Sequence, residues 1–298
     1  MKNNLSTDSA ETVKSFGRRS FLKNTGASCL GVAGAALAGV KLGAFDSVPG
    51  VKKIGLSATE VHAATSKISD LDAAIGQFAL NLEYLEAEFY TMATTGQTLE
   101  QAGIPTNGIG TGGATTGGSQ VNFSGELSGR LPAIAAEITY DEQQHVLLLR
   151  SLLGPTYTIA KPAINLDALG IGFADFQQFL QLARAFEDTG SSAYGGAASL
   201  ITSKSYLQTA VRINIAEAMH VSNLRGLIAV NNVPTTALDG QDVLPPPSGS
   251  KYFTVDTQAL GVVRTTSEVL AIVYANSASG TSSGGFFPNG VNGTITTV

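Results

Sequence analysis

Apolar residues recur every three to four positions in four long segments of this chain, the spacing that turns one face of an α-helix toward a core. The first runs from about Asp70 to Thr94, with Leu71, Ile75, Phe78, Leu82, Leu85 and Phe89 as its apolar stripe and Ser69 placed as its cap. The second, about Leu131 to Leu153, has Pro132 in its first turn and Gly154-Pro155 as a stop. The third spans about Phe173 to Ala198, interrupted by Gly190, Gly195 and Gly196; the fourth spans about Tyr206 to Asn231 and ends before Pro234. A short fifth helix is expected near Ser267–Ala275. Residues 96–129 have no helical period and are rich in Gly and Thr, which predicts a long surface loop. That loop lacks the Lys-Ser/Thr of a phosphate-binding motif. Beyond residue 232, Pro245-Pro246-Pro247 and Gly284–Gly290 predict irregular structure packed over the helices. The expected fold class is all-α: a four-helix bundle with a long loop between its first two helices and a C-terminal extension carrying the fifth.

The polar residues inside these periods are unusual. The chain has 3 histidines, and two of them stand three residues after a glutamate: Glu142 with His145, and Glu217 with His220. Positions i and i+3 share a helix face, so each pair aims a carboxylate and an imidazole at one point. Two such pairs, each joined by a glutamate from another helix, form the ligand set of a dinuclear carboxylate centre in a bundle. The first helix offers Glu83, Glu86 and Glu88, and the third offers Glu187. Tyr90 follows Glu83 by seven residues and Tyr194 follows Glu187 by seven, placing each tyrosine on its glutamate's face. The order is thus Glu-x6-Tyr then Glu-x-x-His, stated twice. Glu83 precedes Glu142 by 59 residues and Glu187 precedes Glu217 by 30; the excess matches the Gly/Thr-rich loop. The apolar settings of His145-Val146-Leu147 and Met219-His220-Val221 argue for burial, which is costly for carboxylates without a cation.

The expected ligands of two iron or manganese ions are therefore Glu83, Glu142, His145, Glu187, Glu217 and His220. One glutamate from each half bridges and the other is terminal. Glu86, one turn beyond Glu83, is either a supporting residue or an additional ligand. Asp141 is positioned to hold the outer nitrogen of His220, whereas Ala216 stands at the matching place in the second half. Tyr90 and Tyr194 are expected beside the site, able to hydrogen-bond a ligand glutamate or donate an electron. Glu88 is expected in solvent, and Glu137, about 140° around the helix from Glu142, as a surface charge.

Charge and composition narrow the partners. Residues 1–63 hold 8 of the 18 basic and 4 of the 23 acidic residues, leaving 10 basic against 19 acidic in the rest. That acidic remainder argues against nucleic acid. The N-terminal region reads as an export leader, with Gly17-Arg18-Arg19-Ser20-Phe21-Leu22-Lys23 before a small-residue apolar run. It resembles a twin-arginine signal, which implies the twin-arginine translocase as a partner and a periplasmic or extracellular destination. Cys29, the only cysteine, and His62 fall within that leader. After it, no run of 18 apolar residues occurs, so no stable membrane insertion is expected once the leader is removed. The organisation read from the sequence is leader 1–63, bundle 64–231 and extension 232–298, with a homo-oligomer left open.

The segments Leu80–Tyr90, Phe186–Gly190 with Ala193-Tyr194, Ile215–His220 and the tail Gly284–Gly293 resemble the ferritin-like superfamily. Within it they are similar to exported proteins related to desiccation-associated ones. The resemblance implies a ferritin-like bundle and a role in oxidative or desiccation stress. One reading is an oxidoreductase acting on peroxide or metal ions, of catalase-like or ferroxidase-like type; the other is a metal-stabilised protective envelope protein without turnover. Iron storage in a many-subunit shell fits less well, because the long loop and tail would hinder cage packing.

Overall fold

The structure, a computed structural model, describes residues 68–298; the leader expected over 1–63, with Cys29 and His62, lies outside them. Four long helices follow. Helix α1 (Asp70–Thr95) starts at Ser69, whose hydroxyl accepts the Asp72 N–H, and closes at Gly96 with φ of 73°. Helix α2 covers Leu131–Tyr157. The stop expected at Gly154-Pro155 is instead a kink: Gly154 adopts φ 62° and ψ −179°, and one further turn follows. Helix α3 (Phe176–Ala197) is capped by Asp175, which accepts from Gln177 and Gln178, and it runs unbroken through Gly190. Helix α4 covers Lys204–Val230. A short α5 (Thr266–Val273) is held by a capping box between Thr265 and Glu268.

Helix α1 packs along α2, and α3 along α4; the two hairpins meet chiefly through α1 and α3. The core between them is built from residues such as Leu85, Phe89, Phe179, Phe186, Leu224 and Ile228, with Phe89 stacked on Phe179 at 5.3 Å. Leu71, expected in the stripe, is exposed. The α1 first turn instead sends Asp72 inward, where its carboxylate accepts the Thr202 and Ser203 N–H groups at 2.8 and 3.1 Å and so anchors the start of α4.

The 96–129 segment is a largely exposed, non-helical loop, as expected, and it is tied down at defined points. Thr115–Thr116 (β1) pairs in parallel with Ile164–Asn165 (β2), and the Ile109 N–H donates to Thr158 O. By folding back on α1 it also corrects the expectation for Glu88. That side chain is fully buried, 2.7 Å from the Lys161 ammonium, and accepts the Leu99 N–H at 3.1 Å. Lys161 reaches Thr115 and Glu100 as well, so the loop, rather than solvent, satisfies this pair.

The extension is sewn to the bundle. Asn292 exchanges two hydrogen bonds with Asn81 on α1 and two with Thr111 in the loop. Phe286 packs on Phe186, ring centres 4.9 Å apart. Among the described residues, no helix is long and apolar enough to cross a membrane.

Candidate metal centre

Each of the four long helices sends one of the expected glutamates inward. Glu83 comes from α1, Glu142 from α2, Glu187 from α3 and Glu217 from α4, and all four are fully buried. His145 and His220, one turn after Glu142 and Glu217, face each other with ring centres 6.3 Å apart. The side chains form two overlapping groups. Glu83, Glu142, His145 and Glu217 make one; Glu142, Glu187, Glu217 and His220 make the other. Within each group the ligating atoms lie within 4.8 Å of one another. Glu142 and Glu217 belong to both, one from each half, and Glu83 and Glu187 each belong to one.

The donor atoms are arranged for cations rather than for one another. The Nδ1 atom of His145 is 3.3 Å from Glu83, 3.2 Å from Glu142 and 3.4 Å from Glu217. That of His220 is 3.1 Å from Glu142 and 3.2 Å from Glu187. A single ring N–H cannot satisfy two or three carboxylates at once. Glu83 Oε2, Glu142 Oε1, Glu187 Oε1 and both oxygens of Glu217 are buried without a hydrogen-bond partner. Such orphaned atoms are rare in folded proteins and call for an ion or water. Oxygen and imidazole donors at this density suit iron or manganese, so the residues fit a metal pair.

Without cations the cluster carries a large electrostatic penalty. Burial pushes the Glu83 carboxyl up to about 7 even though His145 opposes it. Burial, reinforced by the charge on Glu187, pushes Glu217 up to about 8. Burial raises Glu187 too, against the pull of His220. For the imidazoles, burial favours the neutral form, but the surrounding carboxylates outweigh it and hold both well above the usual histidine range. Divalent ions would replace those protons.

The tyrosines take different partners from those the seven-residue spacing suggests. The Tyr194 hydroxyl, on α3, donates a short hydrogen bond to Glu83 on α1. Tyr90, on α1, lies by Glu187 on α3, although its hydroxyl makes no hydrogen bond of ordinary geometry. Each tyrosine thus crosses the α1–α3 interface to the other helix's glutamate. The spacing fixed the face but not which glutamate lies opposite.

Around the ligands, Asp141 Oδ2 lies 3.2 Å from His220 Nε2 and can fix that ring's orientation. Among the described residues no carboxylate does the same for His145, where Ala216 occupies the matching place. Glu86 is buried at the centre, outside both groups. Glu137 is exposed. Gly190, one turn after Glu187, also borders the site; the periodicity marked it only as a helix interruption, whereas it stands in α3 where Glu86 stands in α1.

Two glutamate-only helices and two Glu-x-x-His helices around one buried cluster define a carboxylate four-helix bundle able to hold a pair of metal ions. The chain belongs to the ferritin-like domain family, which residues 71–230 match. No curated protein matches it.

Proposed function

We propose that this is an exported ferritin-like protein that binds a dinuclear iron or manganese centre and serves in oxidative or desiccation stress protection. The observation that carries the metal reading is the pair of overlapping Glu/His groups, five of whose buried carboxylate oxygens have no hydrogen-bond partner. Export rests on the Arg18-Arg19 leader, and the stress role on the likeness of Leu80–Tyr90 and the glycine-rich tail to desiccation-associated relatives.

When bound, such a pair supplies one- and two-electron chemistry toward peroxide, dioxygen or ferrous ions. The chain's own residues have defined tasks. Glu142 and Glu217 would be shared between the ions, Glu83 and His145 would hold one, and Glu187 and His220 the other. Asp141 orients His220. Tyr194 holds a proton against Glu83 and so fixes that carboxylate's direction. Leu85, Phe89, Phe186 and Leu224 belong to the buried apolar core of the same bundle.

A second reading, metal-stabilised protection without turnover, is favoured by the nearly complete burial of the ligand set. Metal analysis of protein recovered from the exported fraction, followed by peroxide-disproportionation and ferrous-oxidation assays, separates the two. The proposal expects two ions per chain and turnover in at least one assay. Two ions without turnover select the protective role, and less than about one ion per chain overturns the dinuclear reading.

A further inference from the structure

The two halves of the bundle match position by position: Glu83 with Glu187, and Tyr90 with Tyr194. One turn after the matched glutamates they differ, with Glu86 on α1 and Gly190 on α3. Glycine inside a helix costs about 0.5–1 kcal/mol relative to alanine, and Gly190 has an ordinary helical backbone that does not itself require it. Space does. A Cβ added at Gly190 would lie 2.7 Å from Glu86 Oε1 and 2.9 Å from Glu217 Oε2. The missing side chain on α3 is thus the notch that admits the Glu86 carboxylate from α1, beside the shared ligand Glu217.

Glu86 has nothing else to serve. It is 3% exposed, and its Oε2 has no hydrogen-bond partner. The small void beside it, about 10 Å³, is bordered by Leu82, Leu85, Phe186 and Val273, with Thr189 the one neutral polar side chain in its lining. That is room for one water at most. No lysine or arginine pairs with it among the described residues, in contrast to Glu88, which has Lys161.

We infer that Glu86 is a seventh protein ligand and fifth carboxylate of the metal pair, admitted by Gly190; this rests on the dinuclear reading above. The charges show what it adds. Four carboxylates with neutral imidazoles balance two divalent ions, and a fifth balances a divalent–trivalent pair.

The test compares wild type with Glu86→Gln, loading metal-free protein with manganous ion against a competing chelator and recording the manganese electron paramagnetic resonance spectrum. Wild type should hold two ions. Glu86→Gln should bind at least one of them more than about a hundredfold more weakly, beyond the roughly 10–100-fold loss that removing an outer partner of a ligand gives, with an altered spectrum; a smaller loss makes Glu86 a supporting residue and overturns the inference. Equal affinity and an unchanged spectrum overturn the inference while leaving the dinuclear centre standing. Wild type that fails to hold two ions overturns the dinuclear reading instead. If Glu86→Gln does not fold, a crystal structure of manganese-loaded wild type decides: a Glu86 oxygen bonded to an ion supports the inference, and a Glu86 carboxylate separated from both ions overturns it.

Discussion

Glu217 concentrates the conflict between folding and binding in a single side chain. It belongs to both ligand groups, is fully buried, and neither of its oxygens has a hydrogen-bond partner. With its carboxyl pushed up to about 8 by burial and by the charge on Glu187, it is mostly protonated at neutral pH in the metal-free protein. Glu217→Gln keeps the shape of that protonated acid but cannot carry the charge a shared ligand needs. Metal-free Glu217→Gln should therefore melt within a few degrees of metal-free wild type at pH 7, while its metal content falls below one ion per chain. Calorimetry in chelator and metal analysis check the two halves of this expectation. A variant that retains two tightly held ions would show that Glu217 is not shared.

Helices α3 and α4 are joined behind the metal cluster by an ionic network. Asp188, next to the ligand Glu187, lies 2.6 Å from Arg184 Nε and 2.9 Å from Arg225 Nη1, and all three are buried. Arg184 continues to Asp242, and Arg225 to the carbonyls of Val243, Lys251 and Tyr252, so the same network pins the extension. Removing one member of a buried ionic group leaves its partners uncompensated, at a cost of roughly 3–5 kcal/mol. Asp188→Ala should lower unfolding stability by about that amount in urea titration, while Glu187→Gln, one residue away, should not. This level of organisation was the least legible in the sequence. The helices and their inward Glu-x-x-His pairs could be read because period and spacing are local properties of a segment. Nothing local marked Asp188 as different from a surface i,i+4 partner of Arg184, or told Glu88 apart from a solvated charge, because Arg225 and Lys161 arrive from distant parts of the chain. The crossing of Tyr90 and Tyr194 to opposite glutamates was hidden for the same reason: spacing defines a face, and only packing defines what the face meets.

At the scale of the whole molecule, metal and pH act on stability through the same site. In the unfolded chain the glutamates titrate near 4.5, whereas in the folded metal-free protein Glu83 and Glu217 are pushed up to about 7 and about 8. Between those values the folded state binds more protons than the unfolded state, so its stability falls as pH rises from about 4.5 through 8. The imidazoles act in the same direction. Their folded values lie above the unfolded 6.5, so their contribution is complete below 6.5 and is lost as pH climbs beyond it. Carboxylates shifted the other way work in a separate window. Glu126 is about 2 because partial burial is outweighed by hydrogen bonds from Ser128, Asn231 and Leu131, and its contribution is lost only as pH falls from 4.5 toward 2. The metal-free protein should therefore be most stable near pH 5. The two raised carboxylates contribute on the order of 3 and 5 kcal/mol to the decline, and the melting temperature should drop by roughly 20 °C by pH 9. Ions that take the place of those protons should reverse the trend: the gain in melting temperature on adding manganous ion should grow from pH 5 to pH 9. Binding near pH 7 should also release protons, seen as a buffer-dependent heat in isothermal titration calorimetry. A metal-induced gain that stays constant with pH, with no proton release, would mean that the ions bind away from this carboxylate cluster.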